Sequence, residues 1–237
     1  GPFQCSTLQK QFSAHAQEEA GIIIVSSREA VTQDNLVTPE ELGVNAPTVL
    51  PGNLTYGFKN FTRGFRSFFT FGAEKKAELA LRFANEKILE AEKLQERGET
   101  ARFEAHLKNY EKDFERAKKL AEKFEQKNPE LAEKFAERVL KDQFKHQTLF
   151  GKFEKEASVE ELPRIKEVRE KALELTGEII ADIDNTEFVI IKLSQIVSAA
   201  VEEKGSAFKP LRNLEVLKAL EEKVPERAKD AIRQAQE

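Results

Sequence analysis

Two groups of residues in this 237-residue chain have the types and spacing to hold a metal or meet a charged surface. Asp142 and His146 lie four apart in a segment of helical periodicity, so both side chains leave one face, where they could chelate a metal or hydrogen-bond each other. A metal site needs three or four such donors. The other histidines, His15 and His106, belong to different segments, and no Glu-x-x-His pairing is present. The sequence therefore commits no metal site, and Asp142 and His146 are its nearest approach to one. The second group is Lys59, Arg63 and Arg66, which fall opposite Leu54, Phe58, Phe61, Phe65 and Phe68 on a helix pattern over 54–71. A cationic face across from an apolar stripe suits a membrane surface or a partner. The same stripe suits a core, and Gly57 and Gly64 weaken a helix that would have to stand alone. The expectation is core, with membrane or partner contact through Lys59, Arg63 and Arg66 as the alternative.

A third group, Asp182-Ile183-Asp184-Asn185-Thr186, matches the Asp-x-Asp-x-Thr nucleophile pattern of haloacid-dehalogenase-like phosphatases. That chemistry needs the aspartates at the end of a parallel strand, beside a magnesium ion. Here the motif lies inside a helical pattern, where its ordinary use is to cap a helix. No catalytic residue is therefore assigned, no cofactor is expected, and the chain is read as a non-enzyme.

The elements that must position these groups are helices. Ala77, Leu81, Ala84, Ile88, Ala91 and Leu94 form one seam, small enough for a neighbour to approach closely. After a break at Gly98, Phe103, Leu107, Tyr110, Phe114, Ala117, Ala121 and Phe124 step four and three without a miss. Asn128-Pro129-Glu130 ends that helix and starts the next, because proline is tolerated in a first turn. The following segment carries Phe135, Val139, Leu140, Phe144, Leu149, Phe150 and Phe153. Ser158 and Glu161 have capping-box spacing before Pro163. Ile165, Val168, Ala172, Leu175 and Ile179 follow, and Asp184 with Glu187 marks a joint near Asn185 before Ile190, Leu193 and Val197 resume. Shorter helices begin at Pro210 and Pro225.

Ahead of these lies a different stretch. Ile22-Ile23-Ile24-Val25 is a lone strand signal, and Thr38-Pro39-Glu40-Glu41-Leu42-Gly43 reads as one capped helical turn with glycine as its stop. The predicted architecture is all-α: an elongated antiparallel bundle of about six to eight helices over 50–237 behind an irregular tether over 1–49, with two sub-bundles meeting near 156–163.

Composition narrows the function. The 38 basic and 42 acidic side chains nearly cancel and are interleaved, which argues against a nucleic-acid partner. Eighteen Phe against two Tyr and no Trp make the aromatic content core filler. Cys5 is the only cysteine, so it can form no disulfide within the chain. Gly1-Pro2 reads as a tag-cleavage scar, which puts the natural start upstream, and the uncapped helix at Glu237 reads as continuing.

With those residues laid out, the chain resembles an uncharacterised family of secreted or surface-anchored helical proteins of bacteria and archaea. The matching residues are Thr38 to Val44, Leu50-Pro51-Gly52-Asn53 with Tyr56 and Lys59, Phe68-Phe69-Thr70-Phe71 with Lys75-Lys76-Ala77-Glu78-Leu79, Phe83-Ala84-Asn85-Glu86-Lys87, Lys145-His146-Gln147, and Leu214-Glu215-Val216-Leu217. The resemblance covers about residue 38 onward and implies an extracytoplasmic, all-helical module without a known activity. Together these readings predict an interaction or scaffold module that binds another protein or itself; a small-molecule ligand is not expected, and a membrane surface is the alternative partner.

Overall fold

The computed structural model describes residues 37–45, 72–202 and 209–224, with a few more between 226 and 233. The strand signal at 22–25, Cys5, and the whole Phe/Arg stripe with Lys59, Arg63 and Arg66 lie outside the described residues. The unit from Val37 to Glu237 is built on six helices among the described residues: α1 (Ala73–Glu96), α2 (Thr100–Glu125), α3 (Pro129–Glu156), α4 (Leu162–Ala181), α5 (Thr186–Glu202) and α6 (Lys209–Lys223). It is an all-α helical bundle, as the periodicity requires.

Each joint is made by a local device. Gly98 takes a φ of 68° after α1, and the backbone N–H groups of Gly98 and Glu99 close on the carbonyls of Gln95 and Leu94. Asn128 caps α3 by accepting from the Leu131 N–H at 3.2 Å, with Pro129 in the first turn. Ser158 and Glu161 form the reciprocal box before α4: the Ser158 N–H donates to Glu161 at 2.9 Å and the Glu161 N–H to Ser158 Oγ at 3.3 Å. At the α4–α5 joint the cap is Asn185, whose Oδ1 accepts from the Phe188 N–H at 3.0 Å. This cap stands one residue on from the expected Asp184, at the joint placed near Asn185, and an amide oxygen caps as well as a carboxylate.

Aromatic contacts show how α2 and α3 run. Phe124 meets Phe135, Tyr110 meets Phe150, and Phe103 meets Phe153, so one helix descends as the other climbs. Between α1 and α3 the contacts rise together, Asn85 with Asp142 and Glu92 with Lys152, so those two are parallel. One hydrophobic core takes in residues from all six helices and continues across the 157–161 joint. The α2 seam is its centre: Phe103, Leu107, Tyr110, Phe114, Ala117 and Ala121 are each at most 1% exposed.

The stretch around 37–45, expected within the tether, is also packed into this core. Val37, Leu42 and Val44 are buried. Thr38 and Glu41 cap each other, the Thr38 N–H donating to Glu41 at 2.7 Å and the Glu41 N–H to Thr38 Oγ1 at 3.3 Å. Three apolar side chains on a self-capped turn are enough to dock it where a groove exists.

Two substitutions test the packing. Phe114→Ala removes a large buried ring and should cost about 3 to 5 kcal/mol in denaturant unfolding; a loss below about 1 kcal/mol would mean that the α2 face is not core. Gly177 on α4 lies so close to α6 that a Cβ there would sit 2.8 Å from the Lys223 carbonyl oxygen. Gly177→Ala should therefore lower the thermal midpoint, although alanine is favoured over glycine by about 1 kcal/mol in an unconstrained helix.

Candidate functional site

The groups singled out on α3 converge on a third residue. Asn85 on α1 is fully buried, and its amide nitrogen donates to Asp142 Oδ2 at 2.7 Å and to the Leu42 carbonyl at 3.0 Å. Both partners only accept, so the orientation of the amide is determined by chemistry, with Oδ1 facing the other way. That oxygen lies 2.8 Å from His146 Nε2, which must then carry the proton. The remaining ring nitrogen, Nδ1, accepts from the Tyr110 hydroxyl at 2.9 Å. A single directed chain results: Tyr110 to His146, His146 to Asn85, Asn85 to Asp142 and to Leu42.

The surroundings hold this chain in one protonation state. Tyr110 and Phe114 from α2 meet the imidazole edge-on, with centroids 5.2 and 6.4 Å away. Burial, aided by the Lys145 charge, pushes the His146 imidazole down to about 3, so the ring stays neutral. Burial likewise holds the Tyr110 phenol well above its usual range, with the Asp142 charge adding to it. Burial pushes the Asp142 carboxyl up, against the pull of the Asn85 hydrogen bond and of Arg138. Arg138 donates through Nε to Asp142 Oδ2 at 3.2 Å and through Nη2 to the Leu42 carbonyl at 3.3 Å. Lys145 donates to the Glu41 carbonyl. Gly43, at a φ of 64°, ends the turn where a Cβ would stand 2.6 Å from Arg138 Nη2.

Chemically this arrangement is a clamp. Asp142 and His146 do share a face, but they are joined through Asn85 and not to each other. Both imidazole nitrogens are taken up by hydrogen bonds, so neither presents a lone pair to a metal, and no group of three or more His, Cys, Asp or Glu fit for a metal occurs among the described residues. Tyr110, Asn85 and His146 are 0% exposed and Asp142 is 1% exposed, which leaves a substrate no access to the chain. The Asp182 motif sits at a helix-to-helix joint, with Ile183 buried between its aspartates, and not at the end of a strand.

A family profile, a domain of unknown function (DUF5667), matches residues 48–227. The chain belongs to the DUF5667 family. The match begins after the docked turn, so the turn at 38–44 lies ahead of the family domain whose helices receive it. Neither the curated proteins nor the solved structures contain a match to the chain.

In the sequence the spacing of Asp142 and His146 marks them as a pair, whereas nothing in it joins Asn85 and Tyr110 to them. The signal for Asn85 was present: it is a polar residue beside the Ala seam, four after Leu81 and three before Ile88. Tyr110 stood in plain view as the one hydroxyl on an otherwise apolar seam.

Removing the hub should be costly. Asn85→Ala orphans the His146 N–H and one bond of Asp142, and should lose about 3 to 5 kcal/mol of unfolding free energy. The pH dependence has a definite sign. His146 is neutral when folded and takes a proton below its ordinary value when unfolded, so its contribution is complete above about pH 6.5 and falls as pH drops toward 3. At pH 4 the loss from this residue should be about 3 kcal/mol. Denaturant titrations of wild type and His146→Gln at pH 7 and 4 should differ by that slope.

Proposed function

We propose that this DUF5667 chain is a non-enzymatic interaction or scaffold module that works outside the cytoplasm by binding another protein or a second copy of itself. The observation that carries this reading is where the polar chemistry goes. The buried set Tyr110, His146, Asn85 and Asp142 is directed inward and spent on holding the turn and the helices together. The outer faces carry interleaved ion pairs such as Lys134 with Glu130, Lys141 with Glu137 and Lys171 with Glu174, a surface suited to polar recognition and not to chemistry. The extracytoplasmic setting is carried over from the family resemblance.

A second reading keeps the membrane as partner, because Lys59, Arg63 and Arg66 oppose the Phe stripe in the sequence. Two measurements separate the readings. Sedimentation velocity over a range of concentrations, with cross-linking in the native envelope, should reveal a reversible oligomer or one recurrent protein partner. Sedimentation with anionic vesicles should show no salt-sensitive binding. Vesicle binding that salt abolishes, and that charge reversal at Arg63 and Arg66 removes without loss of fold, would put the lipid reading first.

A further inference from the structure

A cleft of about 490 Å³ opens where the end of α2, the start of α3 and the α4–α5 joint meet. Its charge is lopsided. Glu122, Glu125, Glu133, Asp182 and Asp184 line it, and Lys118 is the one cationic side chain among the lining residues. Lys118 is already engaged, with Glu122 and, at 3.2 Å, with Glu178. Glu125 is the enclosed member of the set. It is only 8% exposed, and among the described residues its buried Oε1 has no hydrogen-bond donor, the neighbouring group being a second carboxyl, that of Asp182. A buried acceptor left unmatched is costly, and a charged one more so.

What would satisfy it is bounded by the rest of the lining. Among the described residues no three acidic or histidine side chains converge as a metal ion requires, so the negative charge is spread along the cleft and not focused on a point. Pro129, Ala132 and Ile183 supply an apolar wall. Carboxylates at intervals beside an aliphatic wall match a cationic head on a hydrocarbon stem, and the volume is that of an ordinary ligand site.

We propose that this cleft binds an alkylammonium or guanidinium group, whose cationic head lies against the Glu125 and Asp182 carboxyls and whose stem lies along Pro129, Ala132 and Ile183. The group is one carried by a lysine or arginine side chain or by a free polyamine, and the site stands whether or not the scaffold reading holds. Burial and the Asp182 charge push the Glu125 carboxyl up to about 7, with Lys118 pulling the other way and Glu122 adding to the rise. Below that value Glu125 holds a proton; above it, a cation takes the proton's place.

Calorimetric titration of the full chain with cadaverine, with the peptide Gly-Lys-Gly and with calcium chloride, each at pH 6 and pH 8, tests this. Cadaverine or the peptide should bind about tenfold more tightly at pH 8 than at pH 6, because binding releases the proton on Glu125. Glu125→Gln and Asp182→Asn, with helical dichroism unchanged, should each abolish the binding. Tighter binding of cadaverine than of the peptide assigns the site to free polyamines, and the reverse assigns it to a side chain. Absence of saturable amine binding overturns the proposal. So does binding that Glu125→Gln leaves intact, or uptake of calcium that excludes both amines.

Discussion

One primary amide ties the 38–44 turn and α3 to α1. The Asn85 side chain spends both N–H bonds and its oxygen on three partners, drawn from the 38–44 turn and from two successive positions on the α3 face. Tyr110 extends the chain to α2. Because each partner either only donates or only accepts at the point of contact, the network has a single self-consistent arrangement. A buried network of this kind raises the cost of every alternative packing, since an alternative would leave a buried amide, imidazole or carboxylate unmatched. Apolar seams such as Phe103 to Phe124 supply the drive to collapse, but apolar contact alone leaves the register of helix against helix loosely specified. The hydrogen bonds select it.

The same constraint explains the charge states of the buried groups. An imidazole at this depth could have served as a switch near neutral pH, but its neighbours are the phenyl ring of Phe114, the phenol of Tyr110 and the amide of Asn85, and Lys145 stands nearby. Burial and the Lys145 charge both oppose a positive ring. Asp142 is different: Arg138 reaches it from one turn away on α3 and also bonds the Leu42 carbonyl, so one guanidinium satisfies the carboxylate and the end of the turn. The clamp therefore has an ionic outer layer and a neutral inner one.

The helices were legible in the sequence because their signals are local. The α2 seam, the Asn128-Pro129 start, the Ser158–Glu161 box and the glycine stop at Gly98 each depend on residues within a few positions of one another. The network was half legible. The i,i+4 relation of Asp142 and His146 was visible, but their meeting with Asn85 depends on α1 and α3 packing in parallel, which no short-range pattern encodes. The docking of Leu42 was harder still. Its carbonyl is a backbone group, and any residue offers one; only the groove formed by α1 and α3 selects it. The phosphatase-like motif misleads for the opposite reason, since its five residues match a pattern whose meaning depends on a strand that a helical joint does not provide.

Asn85 dictates one tautomer of a permanently neutral His146. Nitrogen-15 NMR of the imidazole reads that directly. The expected result is a ring protonated at Nε2 alone, with Nδ1 shifted as a hydrogen-bond acceptor and no titration between pH 8 and about pH 4. A ring protonated at Nδ1, or one that titrates near its ordinary value, would mean that Asn85 does not set the tautomer or that burial does not keep the ring neutral.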